Sequence, residues 1–290
     1  MPEVVCLSET KDILGEGPMW NEDDKSLYWV DNITPSMHRY TPATGETRTW
    51  PMPEQVGSFV FRKNGGMVAG MKSGFAYFDL ERFTFDHIVN PEPGKDNCLN
   101  DGKPDRRGRY WCGTINRDLA TPNGGLYRLD PDGSCHTMET GIIASNGIAF
   151  SPDDKTMYYC DSRQDTVWAY DLDIDSGTIS NRRVFISTKG QAGRVDGATI
   201  DTEGNYWCAL IHDWDIACFD PKGRLVRRVR TPVRHPTMCT FGGDNYDTMY
   251  VTSGTRFLDA AEAATQPLAG ALFAIHDLGA RGFAEPRFAG

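Results

Sequence analysis

The sequence predicts an all-β protein, a six-bladed β-propeller in a single domain spanning residues 1–290. An apolar strand, a polar turn and a second strand recur six times, and helical periodicity is nearly absent. The second strands begin near Tyr28, Met67, Tyr110, Tyr158, Tyr206 and Tyr250. A spacing of roughly forty to fifty residues is typical of propeller blades, whereas a β-sandwich does not explain a sixfold period.

The six strand pairs follow one another along the chain. They read PMWNEDDKSLYWVD, SFVFRKNGGMVAGM, NDGKPDRRGRYWCGTI, GIAFSPDDKTMYYCD, GATIDTEGNYWCAL and MCTFGGDNYDTMYVTSG. A third strand and a further turn follow each pair, as in LYRLDPDGS and IACFDPKGR. The Gly, Asp, Asn and Pro residues between the apolar runs supply the backbone angles of tight hairpins. About four short antiparallel strands per repeat therefore make one blade.

Two further segments complete the predicted fold. We expect VVCLSE, which precedes the first repeat, to pair beside the C-terminal strands and cover a sheet edge. The segment LDAAEAATQ is expected to form a short turn of helix.

Composition limits the classes of function. Hydrophobic residues make up 39% and charged residues 24% of the chain, which suits a packed core. The net charge of -10, without runs of Lys or Arg, disfavours nucleic acid and anionic membranes as partners. The N-terminus does not resemble a signal peptide, and no apolar run is long enough to cross a bilayer, so we expect a soluble cytoplasmic protein. The 8 cysteines form no C-x-x-C pair, which favours buried thiols in a reducing compartment.

Four repeats carry a polar residue at one position, ten to twelve residues before the second-strand aromatic. These residues are Glu16, Asn100, Asn146 and Asp196, and the second and sixth repeats have Gly57 and Thr237 there. In a propeller this position lies at one end of the channel, so we expect the side chains to converge. Two carboxylates and two amides are oxygen donors for a divalent cation, which favours calcium, magnesium or manganese, with zinc also compatible. The alternative is that NDG, NG and DG are turn formers, although Glu16 is not one.

The loops after the second strands are expected on the same face as these residues, where they are placed to bind a ligand. The longest are 116–124, which we term the lid loop, and 254–269. Side chains expected to contact a polar ligand are Asn116, Arg117, Asp118, Arg163, His212 and Trp214. Asp31 and Asp161 end second strands and are expected to cap hairpin turns. The other five histidines, among them His235, are expected on strands or opposite turns and receive no role.

Several stretches together resemble the gluconolactonase/regucalcin (senescence marker protein) family. They are GEGPMW with LYWVD, NDGKPDRRGRYWCGT, SNGIAFSPDDKTMYYCDS, VDGATIDTEGNYWCAL and FGGDNYDTMYVTS. The resemblance implies a six-bladed propeller that hydrolyses sugar lactones with one divalent metal ion. It further implies that Glu16, Asn146 and Asp196 are the metal ligands and that Asn100 contacts the substrate. Asp118 is the expected substrate contact from the lid loop, and Cys98 stands where family members often have an arginine.

The expected reaction is hydrolysis of an aldonolactone to the aldonic acid, with the ion polarising the carbonyl and Asp196 acting as general base. The ion is Ca, Mn, Mg or Zn. No G-x-S-x-G sequence is present, so a serine-hydrolase mechanism has no support. The expected partner is a small-molecule sugar lactone, and the expected assembly is a monomer or weak homo-oligomer. A phosphotriesterase-type hydrolase, a calcium-binding regucalcin-like protein and a protein-interaction propeller remain alternatives.

Overall fold

The computed structural model describes residues 2–290, which form six four-stranded antiparallel sheets. The predicted all-β class and the six blades of a β-propeller are confirmed. The chain divides into two compact units: residues up to Pro53 with Thr188–Ala284, and Glu54–Ser187 with Glu285–Gly290. Each unit holds three of the sheets. The single domain spanning 1–290 stays a prediction.

The first half of the chain forms β1 and the first three blades. The strands are β1 (Glu3–Ser8), β2 (Gly15–Asn21), β3 (Ser26–Asp31), β4 (Ser36–Thr41), β5 (Glu46–Pro51), β6 (Val56–Phe61), β7 (Met67–Met71), β8 (Gly74–Asp79), β9 (Thr84–Val89), β10 (Asn97–Pro104), β11 (Tyr110–Asn116), β12 (Gly124–Leu129) and β13 (Cys135–Ile142). Strands β2 to β5, β6 to β9 and β10 to β13 pair in chain order.

The second half forms the other three blades. The elements are β14 (Ser145–Phe150), β15 (Thr156–Asp161), β16 (Thr166–Asp173), β17 (Thr178–Ser187), β18 (Arg194–Ile200), β19 (Tyr206–Ile211), β20 (Asp215–Phe219), β21 (Leu225–Arg230), β22 (Pro236–Gly242), β23 (Thr248–Ser253), α1 (Ala260–Thr265) and β24 (Leu272–His276). The helix α1 lies within the predicted helical segment, and Asp259 and Glu262 form a capping box at its start.

The sixth blade combines strands from the two ends of the chain. Its order is β22-β23-β24-β1, and β1 pairs antiparallel with β24, with Glu3 opposite His276. The predicted pairing of VVCLSE beside the C-terminal strands is therefore confirmed. Strand β1 satisfies backbone groups that β24 would otherwise present at a sheet edge.

A recurrent Asp-x-x-Gly-x-Tyr-Trp sequence explains the hairpins between first and second strands of two blades. The Asp105 carboxylate accepts bonds from two turn N–H groups and from the Trp111 indole, the last at 2.8 Å. Gly108, in the same turn, has a φ of +78°, which glycine adopts without strain. In the fifth blade, the Trp207 indole donates to Asp201 over 2.9 Å. The aspartate thus shapes the turn and also satisfies the buried indole N–H.

All the largest fully buried tryptophans lie on second strands, and the largest fully buried phenylalanines lie mainly on first and third strands. Trp29, Trp111 and Tyr159 are fully buried. The fourth strands, such as β21, have mostly exposed residues. All eight cysteines lie outside any disulfide, and six of them are buried as predicted, whereas Cys6 and Cys135 are partly exposed. Within residues 2–290, no helix is both long enough and apolar enough to span a membrane.

Candidate active site

The four predicted polar residues each lie at a β-bulge near the start of a first strand. In β2, the register with β3 shifts by one residue between Glu16 and Met19. In β14, the same shift falls between Asn146 and Ala149. Corresponding shifts occur at Leu99/Gly102, Val195/Ala198, Val56/Ser58 and Pro236/Met238. The bulge is therefore a shared feature of all six blades, and it redirects the side chain at this position.

Glycine makes two of these bulges possible. Gly17 follows Glu16 with a φ of +58°, and Gly147 follows Asn146 with a φ of +63°. Both values lie in the left-handed region that other residues enter with strain. The E-G and N-G dipeptides consequently form the bulges, and they are not ordinary hairpin turns.

In the second unit, the predicted residues Asn100 and Asn146 are in direct contact. Asn100 Nδ2 donates to Asn146 Oδ1 over 3.2 Å and to the Ser145 carbonyl over 2.9 Å. Asn146 Nδ2 in turn donates to Ser162 Oγ over 2.9 Å. The two amides are only 7% and 5% exposed. This network fixes the orientation of both side chains.

Gly57, at the equivalent position in the second blade, brings its strand close to β10. A Cβ atom there would lie 2.6 Å from the Asn100 Cα, closer than any real contact. Because Gly57 has no side chain, the backbone that carries Asn100 can pack directly against β6.

In the first unit, Glu16 and Asp196 lie on strands that both pack against β22. The Thr237 hydroxyl on β22 donates to the carbonyl of Gly15, the residue before Glu16. On the other side, a Cβ at Gly197 would lie 2.5 Å from Met238 Cβ. Both carboxylates are 7% exposed. Each therefore occupies a buried position beside the beginning of the same strand.

Two aspartates hold the backbone segments that lead into the bulges. The Asp31 carboxylate accepts two N–H bonds, at 2.9 and 3.1 Å, from the residues directly before β2. Asp161 accepts bonds of the same lengths from the two residues before β14. Both aspartates also accept from backbone N–H groups of their own turns, as predicted for capping residues. They thereby fix the positions of Glu16 and Asn146.

The lid loop is shaped by its own side chains. The Asp118 carboxylate accepts bonds from Ala120 N, Thr121 N and Thr121 Oγ1 at 2.6 to 2.8 Å. The bonds from Thr121 and Ala120 lower the pKa of Asp118. Asn116 Nδ2 donates to Asn97 Oδ1 over 2.8 Å. Both residues therefore stabilise the loop, and their contact with substrate stays a prediction.

His235 is nearer to the predicted ligand-binding loops than the sequence indicated. The expectation that it lies on a strand or an opposite turn is wrong, because His235 directly precedes β22 outside any strand and its Nε2 is 3.0 Å from Nδ1 of His212. Phe257 packs on both rings. His235 is 1% exposed, and burial, followed by the charges of His212 and Arg234, lowers its pKa to about 4. The sequence signal for this placement was that His235 lies two residues before Thr237, which occupies the Glu16 position in the sixth repeat.

A buried carboxylate next to Asn100 also escaped the sequence reasoning. Asp101 accepts a bond from Ile148 N over 3.0 Å, while its second oxygen is buried without a hydrogen-bond partner in the described residues. Burial raises the pKa of Asp101 to about 6. The sequence signal was that Asp101 directly follows Asn100 in NDG. Interpreting NDG as a turn former hides this signal.

The predicted donor set fits a hard divalent cation by its chemistry. Glu16 and Asp196 supply carboxylate oxygens and Asn146 an amide oxygen, and all three are at least nine-tenths buried. Across residues 2–290, no three His, Cys, Asp or Glu side chains cluster in a metal-binding arrangement. The predicted ligands contain only two such residues, Glu16 and Asp196, together with the amide of Asn146, so they do not form a cluster of that type.

The fold and these side chains define a β-propeller with buried oxygen donors at the bulges of four first strands. The chain belongs to the SMP-30/Gluconolactonase/LRE-like region family, whose model matches residues 14–255. It is 34% identical over 288 residues to 6-deoxy-6-sulfogluconolactonase of Pseudomonas putida, covering 98% of each chain. It is 33% identical to regucalcin of Danio rerio, covering 99% of each. A solved structure of the calcium-binding protein regucalcin from Agrobacterium tumefaciens matches with a TM-score of 0.93 and 26% identity, covering 98% of this chain and 96% of that one.

Proposed function

We propose that this chain hydrolyses a sugar lactone to its aldonic acid, with one divalent ion held by Glu16, Asn146 and Asp196. The observation that carries the proposal is the buried oxygen-bearing side chain at the same bulge of four first strands. Two comparisons support a lactone ester as the reacting group. The family description includes gluconolactonase, and one relative is a 6-deoxy-6-sulfogluconolactonase.

The proposed ion has a clear chemical purpose. When bound, it would supply a Lewis acid for the lactone carbonyl and balance the charge of the two carboxylates. The donor oxygens suit calcium, magnesium or manganese, and zinc is compatible with carboxylate ligands. The likeness to a calcium-binding regucalcin supports a divalent ion without fixing its identity.

The chain's own residues would perform the proton transfers and orient the substrate. Asp196 would accept a proton from the water whose oxygen attacks the carbonyl carbon. The bond between that carbon and the ring oxygen then breaks, and the ring oxygen receives the proton that Asp196 returns. Asn100, held by its bonds to Asn146 and Ser145, would orient the substrate, with Asp118 contacting it from the lid loop.

A pH-stat screen of neutral and anionic five- and six-membered sugar lactones tests this function. The panel includes glucono-1,5-lactone, 6-phosphogluconolactone and 6-deoxy-6-sulfogluconolactone, each with calcium, manganese, magnesium or zinc supplied after chelator treatment. We expect metal-dependent acid release that Asp196→Asn reduces by about 10²- to 10⁴-fold. Asp277→Asn is the matched control, because Asp277 is exposed on the turn after β24. Hydrolysis of no lactone with any of these ions would overturn the proposal.

The second candidate is a calcium-binding protein without hydrolytic activity, which the regucalcin relatives favour. Calorimetric titration of the chelator-treated protein with calcium separates the two candidates. A binder takes up the ion and leaves every lactone intact, whereas the proposed hydrolase does both.

A further inference from the structure

Two arginines lie at the lid loop in the second unit, one within the loop and one in the next blade. Arg117, within the loop, donates from Nη2 to Gln55 Oε1 over 2.8 Å, and the Cys98 thiol donates to the same oxygen over 3.6 Å. Cys98 precedes Asn100 by two residues on β10, which is about 7 Å along a strand. The Arg117 guanidinium is therefore anchored beside the strand that carries Asn100.

Arg163 approaches the same loop from the next blade. Its Nε donates to the Leu119 carbonyl over 2.9 Å. The residue before it, Ser162, accepts the bond from the Asn146 amide. Arg117 thus shares the acceptor Gln55 with Cys98, two residues before Asn100, and Arg163 directly follows the residue that accepts from Asn146.

The charge environment of these arginines differs from that of arginines at the opposite ends of the strands. There, Arg109 forms a buried ion pair with Asp105 at 2.6 Å. Arg117 has only a 3.5 Å contact with Asp96, whose side chain is 75% exposed. Such an exposed pair contributes at most about 1 kcal/mol and is readily exchanged. In the described residues no carboxylate forms a salt bridge with Arg163, so both guanidinium groups keep N–H donors for a ligand.

We propose that Arg117 and Arg163 bind an anionic group on the substrate, so that the preferred lactone carries a phosphate, sulfonate or carboxylate remote from its carbonyl. This inference rests on the proposed lactone hydrolysis. The chain has a net charge of -10, so attraction of an anion would be local to these two side chains. Guanidinium is suited to this role because it donates two parallel hydrogen bonds to such a group.

Steady-state kinetics on matched lactones tests the assignment. For the wild-type enzyme we expect a higher kcat/KM for 6-phosphogluconolactone or 6-deoxy-6-sulfogluconolactone than for glucono-1,5-lactone, and the two anionic arms distinguish phosphate from sulfonate. Arg117→Gln and Arg163→Gln should each reduce that preference by about 10- to 100-fold, the range for a hydrogen bond to a charged group. Arg117→Lys should retain part of it, because the charge remains.

The control is Arg107→Gln, which removes an exposed guanidinium from the hairpin at the other end of β10 and β11. It should leave the preference unchanged. Equal wild-type kcat/KM for neutral and anionic lactones, or an equal loss on both in the arginine variants, would overturn the inference while lactone hydrolysis itself stands.

A binding measurement keeps the test independent of turnover. Calorimetry should find tighter binding of 6-phosphogluconate than of gluconate to the wild-type protein, and Arg117→Gln and Arg163→Gln should remove the difference. Absence of hydrolysis together with this binding difference would contradict the proposed function but not the anion site. Equal binding of the two acids by wild-type protein would contradict the anion site. Thermal unfolding of each variant checks that it is folded.

Discussion

Truncation of Asn100 to alanine probes the amide pair of the second unit. The Asn100 amide donates to Asn146 Oδ1 and to the Ser145 carbonyl. Both acceptors belong to buried residues, so the truncation leaves two acceptor oxygens that water reaches poorly. A buried polar group left unsatisfied costs about 1–3 kcal/mol. Allowing for relaxation around the smaller side chain, we expect a loss of about 3 kcal/mol in the free energy of unfolding.

For a chain of this size, 1 kcal/mol corresponds to about 2 °C in the unfolding temperature. The Asn100→Ala protein should therefore unfold about 6 °C below the wild type in a thermal melt followed by circular dichroism. Asn90→Ala is the matched control, since Asn90 is exposed and its side chain caps one turn N–H. That variant should unfold within about 2 °C of wild type, because a net hydrogen bond is worth about 1 kcal/mol.

Asn100→Asp extends the test to the proposed ion. The carboxylate keeps an oxygen but cannot donate, so it faces two acceptors and should destabilise the metal-depleted protein at least as much as alanine does. Added calcium or manganese should raise its unfolding temperature more than that of wild type, because a further negative charge lies beside the proposed ligands. An Asn100→Ala protein that unfolds within about 1 °C of wild type would refute the reasoning.

Two further predictions concern stability and strand packing. Burial holds the pKa of His235 near 4, below its ordinary 6.5, so at this residue the unfolded chain binds more protons between these values, and the His235 contribution to stability should rise with pH through this window and level off above it. Asp101, whose pKa is raised to about 6, contributes with the opposite sign, so the His235 contribution is the difference between wild type and a His235 variant. The His235 contribution to the free energy of unfolding changes by roughly 3 kcal/mol across the window. Urea titrations from pH 4 to 7 should show that this pH-dependent contribution is lost in His235→Gln. Parallel pH profiles of the free energy of unfolding in the two proteins would contradict the prediction. Gly57→Ala should lower stability by about 1–3 kcal/mol and also reduce kcat/KM, since the new methyl group pushes on the backbone of Asn100. Unchanged kinetics in a folded Gly57→Ala protein would show that the spacing of β6 and β10 is unimportant for Asn100.

The strands were predictable because local chemistry determines them. Apolar runs separated by turn formers give the hairpins, and Asp105 and Trp111 show how a repeated sequence pattern specifies one turn and its buried indole. The contact of Asn100 with Asn146 follows from equal register in successive repeats. For these features, the pattern within one repeat, or the same pattern in two successive repeats, is sufficient.

The loop contacts were not predictable in the same way, because partners far apart in sequence determine them. Arg117 reaches Gln55, 62 residues away, and no local pattern encodes that approach. His212 has a φ of +75°, an unusual conformation for a histidine, and it meets His235 from another blade. The β-bulges were also not predicted, since N-G and D-G have the composition of ordinary turns.

The most direct test of the central claim is a crystal structure of the chelator-treated protein soaked in manganese, with anomalous scattering used to locate the ion. We predict one strong anomalous peak bonded to side-chain oxygens of Glu16, Asn146 and Asp196, which disappears in Asp196→Ala crystals. A peak bonded to other residues, or no peak in wild-type crystals, would contradict the assignment.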